Sequence, residues 1–334
     1  MLQPDGLRAQ TADQYSGICD ASAGVAVSED SFIVGNDETN LLPIYRRGTA
    51  APIATLDLRA FLKSPEVRAR EADIEGAATL AGATYWITSH GRNKDAEERP
   101  QRYRFFATTF DGNSRPPSAS PIGDRAYAGL LEDLLSADRT WKLGLEAASK
   151  LAPKADGLNI EGLAATPDGQ LLIGFRSPLV AGKTPGEKPR AIIVPLLNPK
   201  ALVDQQAESH GGAPVRAAFG EPIAIRLQGQ GIRSLERVGD HYLIIAGPAR
   251  DNDEEDEGNS RLYTWSGLAT DDPQVSDSIA FPDFNPEAIF AIGTRGEVLI
   301  LSDDGTRTIN GQDCKELDDA NAKSFRTMTY QTGR

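Results

Sequence analysis

A chain of 334 residues, 40% hydrophobic and 25% charged, can bury a sizeable core beneath a soluble surface. Its net charge of −13 repels phosphate backbones and anionic membrane surfaces, and no basic patch with interleaved aromatics offsets it, so nucleic acid is not an expected partner. No run of about 18 apolar residues occurs, which excludes a membrane-spanning helix.

The first six residues, Met1-Leu2-Gln3-Pro4-Asp5-Gly6, carry no basic region followed by an apolar stretch, so no signal peptide is expected in this chain. One removed earlier stays open, and the compartment is unknown. Residues 1–14 read as an irregular arm whose last few residues add an outer strand. Residues 15–334 then read as a single domain built from repeats.

The first repeat, starting near residue 17, pairs Ala23-Gly24-Val25-Ala26-Val27 with Phe32-Ile33-Val34 and ends in Asn36-Asp37-Glu38. Outer strands follow at Leu42–Tyr45 and Pro52–Leu56, and Leu58–Arg70 reads as a short helical connection. The second opens on Asp73-Ile74-Glu75-Gly76 and ends at Ser89-His90-Gly91-Arg92; Arg102–Phe110 is its aromatic third strand. Between Asp124 and Lys150 the apolar residues Leu130, Leu131, Leu134, Leu135, Leu143 and Leu145 take up helical spacing, which predicts one or two inserted helices.

The third repeat is the clearest. Asn159-Ile160-Glu161-Gly162 opens a strand, an Asp168-Gly169 turn reverses it, and the return strand ends at Arg176-Ser177. Arg190–Leu197 and Glu221–Leu227 are its outer strands, with a loop around Ser209–Gly212. A degenerate fourth copy, Gly231-Ile232-Arg233, has arginine where the others have glutamate. The last starts near 286 at Asn285-Pro286-Glu287 and reaches Ser302-Asp303-Asp304. From glutamate to serine the separations are 14, 16 and 15 positions, so strand and turn lengths match between copies.

Starts near 17, 73, 159, 231 and 286 leave room for four strands each, which predicts an all-β fold, a β-propeller of five or six blades with a helical insertion near 124–150. The sixth blade would have to hide in one of the two longer intervals. Cys19 and Cys314 lie near opposite ends; a bridge across the closed ring is conceivable, but two thiols are favoured because nothing else in the chain looks like a disulfide framework.

Propeller geometry returns the end of each second strand to the face on which the first began. Glu75, Glu161 and Glu287 should therefore meet Asp37, His90, Arg92, Arg176 and Arg233 at one mouth of the central channel. Glu75, Glu161 and Glu287 are the candidate metal ligands, with calcium the candidate cofactor. The competing reading is a lock, in which each glutamate accepts amides of the neighbouring blade, or in which Arg176 or Arg233 neutralises it without metal. His90 is the candidate general base for hydrolysis of an ester, lactone or phosphoester, although a single loop histidine more often only hydrogen-bonds locally. The acidic run Asp251–Glu257 lacks the glycine of a calcium-hand loop and reads as a solvated loop.

Together Asn36-Asp37-Glu38, Glu71–Gly76, Tyr85–Arg92, Asn159–Leu163, Gly174–Pro178 and Gly229–Ser234 resemble the bacterial domain-of-unknown-function family 3616, over roughly residues 15–334. The resemblance implies a propeller-like fold and no agreed activity. At the level of one repeat the chain is also similar to phytase-like and esterase-like propellers and to the calcium-dependent lactonase group, whose ligand sets do not map onto it. The expected function is a polar small-molecule or metal-assisted site at the channel mouth, hydrolytic if enzymatic. The alternative is a non-enzymatic scaffold for a protein partner of unknown kind.

Overall fold

The computed structural model describes residues 10–62, 71–204, 214–250, 260–276, 279–293 and 296–332. The acidic run at 251–257, the loop around 209–212, residues 1–9 of the arm and most of the connection after Leu62 lie outside them. Among the described residues the chain forms 22 strands and three short helices.

It opens with β1 (Gln10–Ser16), so the expected irregular arm is already a strand from residue 10. Blade 1 is β2 (Ala21–Ala26), β3 (Ser31–Asn36), β4 (Leu41–Arg46) and β5 (Thr49–Asp57). Blade 2 is β6 (Ile74–Leu80), β7 (Ala83–Thr88), β8 (Phe105–Asp111) and β9 (Ser118–Pro121), followed by α1 (Leu130–Trp141) and α2 (Leu145–Ala148). Blade 3 is β10 (Asn159–Ala165), β11 (Leu171–Ser177), β12 (Ala191–Leu196) and, beyond α3 (Pro199–Asp204), β13 (Ile223–Ile225). Blade 4 is β14 (Gly231–Val238), β15 (His241–Gly247), β16 (Arg261–Trp265) and β17 (Gln274–Val275). Blade 5 is β18 (Pro286–Ile292), β19 (Glu297–Ser302) and β22 (Ser324–Gln331), with the small hairpin β20 (Thr308–Ile309) and β21 (Gln312–Asp313) between the last two.

Each blade is antiparallel, and its first strand packs against the first strands of both neighbours, so β2, β6, β10, β14 and β18 surround one axis. The protein is a five-bladed propeller. The long intervals that left room for a sixth blade hold α1 and α2 in one case and α3 with its flanking segments in the other. Blade 5 takes its fourth strand from the opposite end of the chain, because β1 pairs antiparallel with β22. This closes the ring and leaves neither terminal strand without a partner.

The turns follow their residues. The hairpin between β6 and β7 is the pair Ala81-Gly82 with φ of 52° and 81°, the two left-handed positions that a tight hairpin turn needs. Hydrophobic cores fill the spaces between blades. Between blades 5 and 1, Tyr15, Phe32, Tyr45, Phe290 and Phe325 pack ring against ring with centroids 5.1–5.7 Å apart. In the insertion Leu130, Leu134 and Leu145 are fully buried and Leu131, Leu135 and Leu143 partly so, the stripe that the helical spacing predicts. Asp138 near the end of α1 accepts the Leu143 and Leu145 amides at 2.7 and 2.8 Å, satisfying donors at the start of α2.

Cys19 and Cys314 correct the expectation of two thiols. They form a disulfide with Cα atoms 5.9 Å apart, at a sequence separation of 295. Ring closure brings the entry to β2 beside the turn after β21, so proximity comes from the fold and not from cysteine density.

Candidate functional site

The five inner strands share one irregularity. Register slips between Ala21 and Ala23, Ile74 and Gly76, Ile160 and Gly162, Ile232 and Ser234, and Pro286 and Ala288. Each slip leaves one residue out of the ladder, a β-bulge of the kind that re-aims a side chain. The five bulge residues are Ser22, Glu75, Glu161, Arg233 and Glu287, so the repeat glutamate is the bulge residue of its blade. Second strands end beside them, at Asn36, Thr88, Ser177, Gly247 and Ser302.

Charge is unevenly paired around this ring. Arg233 joins three blades: its Nε donates to Glu287 Oε2 at 2.7 Å and lies 3.1 Å from Glu161 Oε2, and its Nη2 pairs with Glu287 Oε1. Glu161 also receives Arg176 Nη1 at 3.2 Å and the Asn159 amide at 2.7 Å, and Asn285 donates to Glu287 at 3.2 Å. Arg176 further donates to the Pro248 carbonyl. Arginine neutralisation, one of the alternatives weighed for the glutamates, is therefore what Glu161 and Glu287 display. Amide locking falls to Ser234 Oγ and Glu236, which accept the Ile289 and Ala291 amides at 3.1 and 3.0 Å, while Ser22 Oγ joins blades 1 and 2 by donating to the Ile74 carbonyl at 2.5 Å.

The opposite side of the mouth is acidic. Among the described residues Glu75 has no hydrogen bond or ion pair, and Asp37 Oδ1 is buried without a partner. Burial first, then Asp73, Glu161 and Asp37, push the Glu75 carboxyl well above the usual range, with Arg233 pulling the other way. Asp37 is raised well above its usual range by burial and by Asp303, Asp73, Asp20 and Glu38. Burial, Asp303 and Glu38 lift Asp20 to about 7 against Lys315 and Lys323. Asp73 is lifted to about 6 by burial although Arg102 lies 2.9 Å away and Ser89 hydrogen-bonds it; Arg102 also holds Glu71 at 2.6 Å. Asp303 is raised mainly by burial, and the Gly305 amide and Arg233 oppose this.

Two expected members stand apart from the ring. His90 is buried at φ 53° and stacked on Tyr103, with Nδ1 2.7 Å from the Thr88 carbonyl. That bond makes Nδ1 the protonated nitrogen, which leaves Nε2 an acceptor, and Nε2 is buried without a partner. Burial is the main reason that its pKa falls to about 4, so the ring is neutral at pH 7. No carboxylate hydrogen-bonds it among the described residues. Arg92 donates to the Ser149 and Ala96 carbonyls and to Glu98, tying the β7–β8 loop to the end of the insertion.

Sequence reasoning missed Asp20 and Arg102. Asp20-Ala21-Ser22 lines up with Asp73-Ile74-Glu75 once the bulge is the reference point, but serine in place of glutamate hid the copy. Arg102, expected to open the third strand, instead ends a 3-10 turn at Pro100–Arg102, and β8 starts only at Phe105.

Fold and ring define a five-bladed propeller with a charged channel mouth. The chain belongs to the family described as protein of unknown function (DUF3616), which matches residues 111–292, more than half of its length. No curated protein matches it in sequence. Solved structures similar to it include the glutaminyl cyclase of Myxococcus xanthus, at 12% identity over 99% of this chain and 100% of that one, with a TM-score of 0.43. A putative oxidoreductase (glucose dehydrogenase) of Thermus thermophilus shares 11% over 97% and 100%, TM-score 0.44. Virginiamycin B lyase of Staphylococcus aureus shares 8% over 96% and 99%, TM-score 0.40. None of the three carries an argument about chemistry here.

Proposed function

We propose that the channel mouth binds a small polar ligand through a hydrated divalent cation, calcium first, with Asp37 and Glu75 as the protein's carboxylates. The observation that carries this reading is the pairing difference within the ring. Glu161 and Glu287 have arginine partners, whereas Glu75 has none among the described residues and Asp37 keeps a buried oxygen without a donor. Carboxylates in such surroundings either hold a proton or acquire a cation, because an isolated buried charge costs several kcal/mol. Arginine pairing removes Glu161 and Glu287 from the expected metal set. No three acidic, histidine or cysteine side chains converge tightly among the described residues, so most of the six to eight oxygens around calcium would come from water and from the ligand. Such an open coordination sphere suits the capture of a ligand with oxygen donors.

Hydrolysis by His90 gains no support from its surroundings, since its ring meets Thr88 and Tyr103 and no carboxylate of the ring. A binding site is therefore the better reading than a hydrolase.

Thermal unfolding of chelator-treated protein, with calcium, magnesium or manganese added, tests it. The expected result is a saturable rise of the midpoint with one of these ions, as mass action requires of a ligand bound only by the native state. The rise should be lost in Glu75→Gln and kept in His90→Asn. A midpoint indifferent to every ion would make Asp37 and Glu75 protonated structural groups and end the proposal.

A further inference from the structure

The same inner strands end at a second opening. A cavity of about 210 Å³ lies at the opposite end of the channel, lined by Val25, Thr79, Ala165 and Ala291 of blades 1, 2, 3 and 5 and by Glu236 and Arg237 of blade 4. Its exposed lining is mostly polar, and the other blades bring no titratable side chain to it. The charge at this cavity is thus one acid and one base, consecutive on β14 and both half-buried.

Consecutive residues of a strand leave it on opposite faces. Glu236 faces blade 5, where its carboxylate accepts the Ala291 amide at 3.0 Å as well as the Arg237 amide. Arg237 stands in register with Tyr242, whose hydroxyl donates to the Ala165 carbonyl at 3.4 Å, so its side chain leaves β14 toward blade 3. The two charges flank the cavity without meeting, and no ion pair joins them. Two amides leave carboxylate lone pairs on Glu236 for further donors. Among the described residues the Arg237 guanidinium has no ion pair and no hydrogen bond. The exposed acids on its side are engaged elsewhere, Asp168 with Thr166 and Gln170 and Asp240 with His241. One cavity therefore offers an arginine and a glutamate, each without a charged partner.

We propose that this lower cavity binds a short ω-amino acid, its ammonium on Glu236 and its carboxylate on Arg237. A guanidinium matches a carboxylate with two parallel donors, and charge-assisted hydrogen bonds are about twice as strong as neutral ones. A ligand with a single charge would engage one side chain and leave the other unpaired, so the arrangement selects for both ends at once. Because the two protein charges stand on opposite faces of β14, carbons between the charged ends suit the site better than the adjacent groups of an α-amino acid. Burial lifts the Glu236 carboxyl to about 7 against the two amides, so its charge is present at pH 8.

The test is calorimetric titration of the full chain with 4-aminobutanoate at pH 8, in chelator so that no divalent ion at the upper mouth contributes. Saturable binding is expected, with butanoate, butylammonium and glycine each weaker by roughly tenfold or more, the worth of one charge-assisted contact. Glu236→Gln keeps an acceptor for the Ala291 amide and should weaken binding by a similar factor, as should Arg237→Gln. Should Glu236→Gln fail to fold, Arg237→Gln, which breaks no ion pair, and the three control ligands decide alone. The proposal is overturned by no binding of 4-aminobutanoate, by equal affinity for any of the three controls, or by a folded variant at either position that binds as the wild type does.

Discussion

Glu75 and Glu161 occupy the same bulge in neighbouring blades, yet their carboxylates meet opposite fields. Glu161 faces Arg176 and Arg233; Glu75 faces Asp73 and Asp37. Removing charge should therefore act with opposite sign at the two positions. Without divalent ions at pH 8, Glu75→Gln is expected to stabilise by on the order of 1 kcal/mol, because it deletes an uncompensated charge. Glu161→Gln should destabilise by about 3 kcal/mol, since it strips a partner from two largely buried arginines. Urea midpoints of both variants check this, and a shared sign would refute the field described here. The pH profile follows from the same groups. Asp20 and Asp73 ionise in the folded state only near 7 and 6, so the folded state binds more protons than the unfolded chain between pH 4 and 7, and stability falls as the pH rises through that window. His90, depressed to about 4, works the other way: its contribution is complete above about 6.5 and is lost as the pH drops toward 4. Several carboxyls oppose one imidazole, so metal-free protein should lose stability from pH 5 to pH 8. His90→Asn should steepen that loss below about 6.5. A flat or rising profile from pH 5 to 8 would contradict it.

Strands carry these residues to the mouth, and the bulge is the device that aims them. Gly231, two residues before the Arg233 bulge, shows how tightly the blades meet there: a Cβ on it would lie 2.0 Å from the Arg176 carbonyl oxygen. Gly231→Ala must push blade 3 from blade 4 and should cost about 2–3 kcal/mol, read from a denaturant midpoint that falls while the slope holds. An unchanged midpoint would mean that the blades separate at no cost. At this scale much of the molecule was legible in the sequence. The Asn-Ile-Glu-Gly copies and the leucine spacing from Leu130 to Leu145 mark strand pairs and helices, because burial imposes periodicity. Bulges impose none; an extra residue in a ladder looks like any other polar residue in a strand. For that reason the Ser22 copy escapes a reading by pattern, and Asp20 with it. Partners were less legible still. That Arg233 would bridge Glu161 and Glu287 while Arg92 turned to Ser149 depends on side-chain paths that no spacing records.

Over the whole ring the five bulge residues are one serine, three glutamates and one arginine, so a fivefold backbone carries a one-sided charge. Blades 3 and 4, with the bulge glutamate of blade 5, hold the neutralised side; blades 1 and 2, with Asp303 of blade 5, hold the acidic one. The seam between blades 5 and 1 lies within the acidic side, and it is the seam that the disulfide fastens. Cys19 immediately precedes Asp20, the Cys19 carbonyl accepts the Asp304 amide at 3.0 Å, and Lys315, next to Cys314, donates its amide to the Gly305 carbonyl. The bond therefore restrains ring closure and the spacing of Asp20 and Asp303 together. With nearly 300 residues in the loop, the chain-entropy account allows up to about 6 kcal/mol of stabilisation, while β1 pairing with β22 closes the same ring without it. Reduced protein or Cys314→Ser should therefore stay folded with a lower guanidinium midpoint. If the acidic side holds the cation, reduction should also diminish the divalent-ion shift of the thermal midpoint under conditions where circular dichroism reports unchanged strand content. A midpoint insensitive to reductant would show that β1 alone fastens the seam. A lowered midpoint with the full ion shift intact would separate the cation site from the disulfide and confine it to Asp37 and Glu75.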